Sequence, residues 1–332
     1  CEDFFFCENG GLVNGQLGLC INLYEWGRFV NDASIIEKAD NLIESIISSL
    51  NIGSAINPQS VSMGFSHGLL GMGWGIEYLA QRAFVENNTN DILLDLDERS
   101  FLRRFTGNDA NLSFQDNFLG VGYYYTKRLQ NPIAIKDENN TQILKIRQNL
   151  VTYIAEHFGR KEQILLSKET LVLPNVIAVL ASLYKLDIFN HKIVRTFEWY
   201  SQNIKVDKIQ DQLSKVAMLH SLVGVHNIED PFCKEIFTPL VIELKNNLDS
   251  DKLLEEFNSN SKIFDCLKHI TYLEKNKIIE NDALPWKKLS VKWLKHNLSD
   301  DILRNKQAIL DMGLLNGFNG FRTLIPIIEK EI

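Results

Sequence analysis

Residues 64–75 read GFSHGLLGMGWG, five glycines in twelve positions with one histidine and one tryptophan among them. Glycine inside a helix costs about 1 kcal/mol relative to alanine, yet the stretch leads straight into the apolar run IEYLA. Something must offset that cost, and the pattern recurs. GGLVNGQLGLCINLYEWGRF starts at Gly10, DNFLGVGYYYTKRLQ at Asp116 and GLLNGFNGFRTLIPIIEK at Gly313. Each joins a glycine-bearing loop to an apolar helical stretch.

Anchored on Gly15, Gly68, Gly120 and Gly317, the copies are separated by 53, 52 and 197 residues. Weaker copies fill the long gap near Pro174, Met218 and Phe264, which gives intervals of 54, 44, 46 and 53 and seven units in all. A period near fifty residues is the mark of a repeat architecture. Between the motifs lie amphipathic helices. In SIIEKADNLIESIISSL, Ile35, Ile36, Ala39, Leu42, Ile43, Ile46, Ile47 and Leu50 fall on one helix face, with Asp32 or Ser34 as cap. TNDILLDLDERSFLRRF and NNTQILKIRQNLVTYIAEHF follow the same pattern, capped by Thr89 or Asn90 and by Asn140 or Thr141. Strand signals are nearly absent. The expected fold is all-α, one domain over 1–332: an (α/α) toroid of seven helical hairpins, apolar helices inside and amphipathic ones outside. An open solenoid is the alternative, but it needs polar end units, and the motifs at Gly10 and Gly313 are alike and apolar. In a closed ring, glycine lets helix starts crowd together, and their free amides would make the centre receptive to anions.

The chain is 45% hydrophobic and 23% charged, with a net charge of −7 and a pI near 5.6. That composition suits a globular protein and disfavours nucleic acid as a partner. No apolar run reaches the roughly eighteen residues of a membrane span. Five cysteines at irregular spacing (Cys1, Cys7, Cys20, Cys233, Cys266) do not form a disulfide framework, so a reducing, cytoplasmic location is expected. Cys1 at the first position fits a trimmed chain or, less simply, a mature bacterial lipoprotein.

The spaced glycine motifs, each followed by an apolar helix, resemble those of the lanthionine synthetase C-like family. The likeness is clear at Gly10–Tyr24, Gly64–Tyr78, Gly120–Tyr125 and Gly313–Phe321 and faint between 160 and 300. It implies a seven-fold α/α toroid and a peptide substrate or partner protein. Family members of the cyclase type are zinc enzymes that add a cysteine thiol to a dehydrated serine or threonine. Their Trp-Cys-x-Gly and Cys-His-Gly strings are both missing here. At those places stand AMLHSLVG and KIFDCLKHI. Cys266 and His269, three apart, could form a substitute site with His220 or Cys233, but a Cys-x-x-His pair in an apolar helix reads first as packing. The expectation is therefore no metal and no cofactor.

His67, in FSHGLLG, matches the family's Ala-His-Gly, where the histidine is thought to act as acid or base. An imidazole suits proton exchange near neutral pH. Asn14 and Asn316 fill the same slot in other copies, so the slot also accepts a polar group with no such role. Asp116 reads as a helix cap. Glu77 lies in an apolar run, where a carboxylate needs partners or a raised pKa. His67, Asp116 and Glu77 are the candidate catalytic residues. DILLDLDERS reads as a solvated helix face, and the tyrosines of GYYYTKRL as core. Three functions fit: a zinc-free member that binds or modifies a peptide in the toroid's cavity, a silent scaffold, or an α/α-barrel enzyme acting on carbohydrate through Glu77 and Asp116.

Overall fold

The computed structural model describes residues 11, 12, 15–53, 63–66, 68–86, 88–106, 119–131, 145–151, 161, 162, 164–166, 171–187, 189–228 and 230–249, with single positions at 252, 253, 256, 269, 273 and 276. The regular elements among these residues are helices, and no strand occurs among them. They belong to two compact units, one up to Arg147 and one from Gln148 onward.

The first unit begins with α1 (Gln16–Val30) and α2 (Ala33–Gly53). Leu17, Cys20, Ile21 and Tyr24 of α1 are buried at the i, i+3, i+4, i+7 spacing of one face. They meet Ala39, Leu42, Ile43 and Ile46 of α2, the stripe expected from the sequence. Each such aliphatic side chain contributes on the order of 1.5–3 kcal/mol. Asn31 closes α1 in the left-handed region (φ 54°), a conformation asparagine tolerates better than most residues. Asp32 then opens α2 by accepting the Ser34 amide at 2.8 Å. A hairpin this tight follows from two adjacent residues that each favour a chain reversal.

Next come α3 (Leu69–Gln81), the short α4 (Thr89–Ile92), α5 (Leu94–Thr106) and α6 (Gly120–Leu129). α3 packs against α1 and α6. The glycines of the opening motif sit at those contacts. A Cβ on Gly71 would fall on the backbone carbonyl of Phe65, and one on Gly120 would lie 2.6 Å from the Phe65 Cβ. Gly75 likewise faces Leu17 of α1, 2.5 Å from where a Cβ would stand. Close approach between the Phe65 loop and two helices therefore offsets the helix cost of the glycines. Gly15 and Gly68 also serve as N-caps without a side-chain bond.

The second unit holds α7 (Val172–Tyr184), α8 (Asn190–Asn203), a 3-10 turn (Val206–Lys208), α9 (Gln212–His226) and α10 (Pro231–Asn246). α7 packs on α8 and α9, and α10 on α8 and α9. Two of these helices, α9 and α10, start on aspartate. Asp211 caps α9 through the Ser214 amide at 2.7 Å, and Asp230 caps α10 through the amides of Phe232 and Cys233 at 2.8 and 3.2 Å. The free amides expected at helix starts are absent at α9. The Glu256 carboxylate takes those of Gln212 and Leu213 at 2.9–3.1 Å.

Asp230 also accepts the Tyr184 hydroxyl. That bond and the two amides hold its carboxyl below the usual carboxylate range. A lowered folded-state pKa adds stability that is present above the unfolded value and lost as pH falls through the folded one. Asp230→Ala should therefore lower the unfolding free energy by about 1–2 kcal/mol near neutral pH. The deficit should shrink in acid, which urea unfolding at about pH 7 and about pH 3 measures.

Candidate functional site

Glu77 lies on α3 and is fully buried. Its Oε2 accepts from Arg128 Nη1 at 2.9 Å, and its Oε1 from Gln81 Nε2 at 3.1 Å. Arg128, in the last turn of α6, is itself 0% exposed. Its Nη2 donates to Asp97 Oδ2 of α5 at 2.8 Å and to Asn90 Oδ1 at 3.0 Å. Thr89 Oγ1 accepts from Arg128 Nη1 at 3.3 Å and from Asn131 at 3.1 Å, and Tyr124 donates to Asp97 at 2.5 Å. Every guanidinium edge is thus met by an acceptor, as a buried cation requires. Burial works against the charge on Arg128, but Asp97 and Glu77 outweigh it and hold the guanidinium above its ordinary pKa. Burial beside Asp97 also pushes the Tyr124 phenol well up.

This places Glu77 as a counter-ion. With no exposure and both oxygens engaged, it offers no face to a substrate. His67 and Asp116 lie outside the described residues. Gly68, next to His67 in sequence, is the N-cap of α3. Two smaller expectations change. Thr89 and Asn90 are not caps: Asn88 caps α4 by accepting the Asn90 amide at 3.1 Å, while Thr89 and Asn90 bond Arg128. Asp97 leaves the solvated face assigned to DILLDLDERS, since it is 4% exposed and paired. Tyr124 and Tyr125 are core, as the sequence suggests. Arg128 and Asp97 were missed by sequence reasoning. The available signal was Glu77 itself, because a carboxylate in an apolar run calls for a cation in some other apolar run, and GYYYTKRL supplies one.

In the second unit, His220 of α9 meets His269. Their Nδ1 atoms are 2.5 Å apart and their ring planes are 69° from parallel. Such a bond needs one N–H and one bare nitrogen. Of the two partners weighed for His269, His220 is the one beside it. Cys233 lies elsewhere, buried next to Asp230, and burial pushes its thiol up to about 11. Cys266 lies outside the described residues. Among those described, no three histidine, cysteine or carboxylate side chains cluster as a metal site needs. No described helix is long and apolar enough to cross a membrane.

No protein-family model, no curated protein and no solved structure matches the chain.

Proposed function

We propose that the protein is a divergent lanthionine synthetase C-like protein that binds or modifies a peptide in the central cavity of an (α/α) toroid, without zinc. One observation carries the reading. Helices one or more apart in sequence pack side by side within each unit: α1 with α3, α3 with α6, α7 with α9, α8 with α10. Two concentric layers of hairpins have that neighbour pattern, and the glycine-led starts at Gly15 and Gly68 agree with it. The carbohydrate alternative loses its acid, because no sugar reaches Glu77 without opening the Arg128 network.

His67 is the residue proposed to move a proton. The test is incubation of the full chain with peptides holding cysteine and a dehydrated serine or threonine, followed by thiol alkylation and mass analysis. We expect bound peptide or loss of free thiol, with turnover reduced about 10²- to 10⁴-fold in His67→Ala. A chain that neither retains nor changes such peptides sinks the reading.

The contact between His220 and His269 favours a second reading, in which zinc is bound. The two imidazoles would supply nitrogen ligands, and a further donor would have to come from outside the described residues. Zinc in such a site lowers a thiol's pKa and presents it as thiolate. Metal analysis of purified protein separates the two. The zinc-free reading expects no stoichiometric metal, whereas one equivalent lost in His220→Ala or His269→Ala establishes the other.

A further inference from the structure

The turn between α8 and α9 carries two lysines, Lys205 and Lys208, both exposed. Spaced by three residues across a 3-10 turn, with the Lys208 amide donating to the Lys205 carbonyl at 3.1 Å, they stand on one side of it. Neither ammonium has an ion-pair partner among the described residues, in a chain whose net charge is −7. Both line a cleft of about 620 Å³ within the second unit, a volume in the range of small-ligand and peptide side-chain sites. Its floor is apolar: Ile164, Leu173, Ile204 and Met218. Leu166, at its edge, is 80% exposed, an unusual cost for a leucine beside so much apolar surface.

The polar groups of the cleft narrow the occupant. Asp211, also in the lining, bonds both the amide and the hydroxyl of Ser214, each at 2.7 Å, so its charge is turned to the α9 start. The next amides belong to Glu256, as described above, so an incoming anion finds lysines rather than helix amides. Gln210 adds a side-chain amide and Asn203, whose Nδ2 donates to the Trp199 carbonyl at 2.8 Å, an amide oxygen, and both match a peptide backbone better than an acyl chain.

We propose that this cleft binds an acidic, apolar peptide segment, with carboxylates at Lys205 and Lys208 and an aliphatic side chain between Leu166 and Met218. The inference rests on the peptide reading above and adds to it a place and a charge rule.

The probe is a short fluorescein-labelled peptide alternating leucine with aspartate, compared by anisotropy with versions carrying asparagine or lysine in place of aspartate. The aspartate peptide should bind, the asparagine one about tenfold more weakly, and the lysine one not at all, with the first weakening as salt rises. In Lys205→Glu/Lys208→Glu, whose exposed sites should leave the circular dichroism unchanged, the preference should reverse. Leu166→Asp should weaken the aspartate peptide in the otherwise unchanged chain. Equal binding of that peptide by the wild type and the double variant overturns the cleft but leaves the peptide reading standing. Equal binding of all three peptides overturns the charge rule, and displacement by laurate in place of peptide overturns the occupant. Failure of all three to bind overturns the proposal, while the alkylation assay, which does not depend on these lysines, decides the peptide reading separately.

Discussion

Arg128→Met is expected to lower the unfolding free energy by about 3–5 kcal/mol, enough to unfold a marginal domain at ambient temperature. The reason lies in what remains. Glu77 and Asp97, 0% and 4% exposed, would be left with no cation between them, and Asn90 and Thr89 would lose a donor. A lone buried carboxylate costs far more than the net value of the pair it came from. The triple change Arg128→Met, Glu77→Gln, Asp97→Asn should recover much of the loss, because it removes all three charges together. Urea unfolding followed by circular dichroism measures both. A single variant as stable as the wild type would mean that water reaches this network.

Gly71→Ala should cost about 2–3 kcal/mol. On an exposed helix the same change stabilises by about 1 kcal/mol, so the sign itself is the test. Here the added methyl would meet the Phe65 backbone carbonyl and, at 3.1 Å, the Leu12 Cβ. Backbone cannot swing aside as a side chain can. Gly75→Ala is the comparison: its methyl meets side-chain atoms alone, Leu17 Cδ2 at 2.5 Å, Leu17 Cγ at 2.9 Å and Ile21 Cδ1 at 3.3 Å, and should cost less because side chains shift more readily than backbone. The melting temperatures of the two variants rank them.

The fold class was legible because the helical period is strong wherever one face is buried. The stripe from Ala39 to Ile46 and the Asp32 cap both follow from local spacing and local hydrogen bonding. The network around Glu77 was only half legible. Its partners come from α5 and α6 and from positions 89 and 90, so no window of sequence holds the pattern. A threonine and an asparagine at a helix start look like caps whether or not a distant arginine claims them. The glycines were legible as a repeat but not in purpose: their contacts are with Phe65 and Leu17, which spacing alone cannot name. The meeting of His220 with His269, 49 residues apart, is of the same non-local kind.

Glu256 closes the start of α9 from 44 residues downstream. During synthesis that helix must leave the ribosome with two of its first amides open to water, and it stays frayed until the later acid emerges. Chains ending just before and just after this position should therefore differ in amide exchange at Gln212 and Leu213, so the seal on this helix is an event late in the chain's own production.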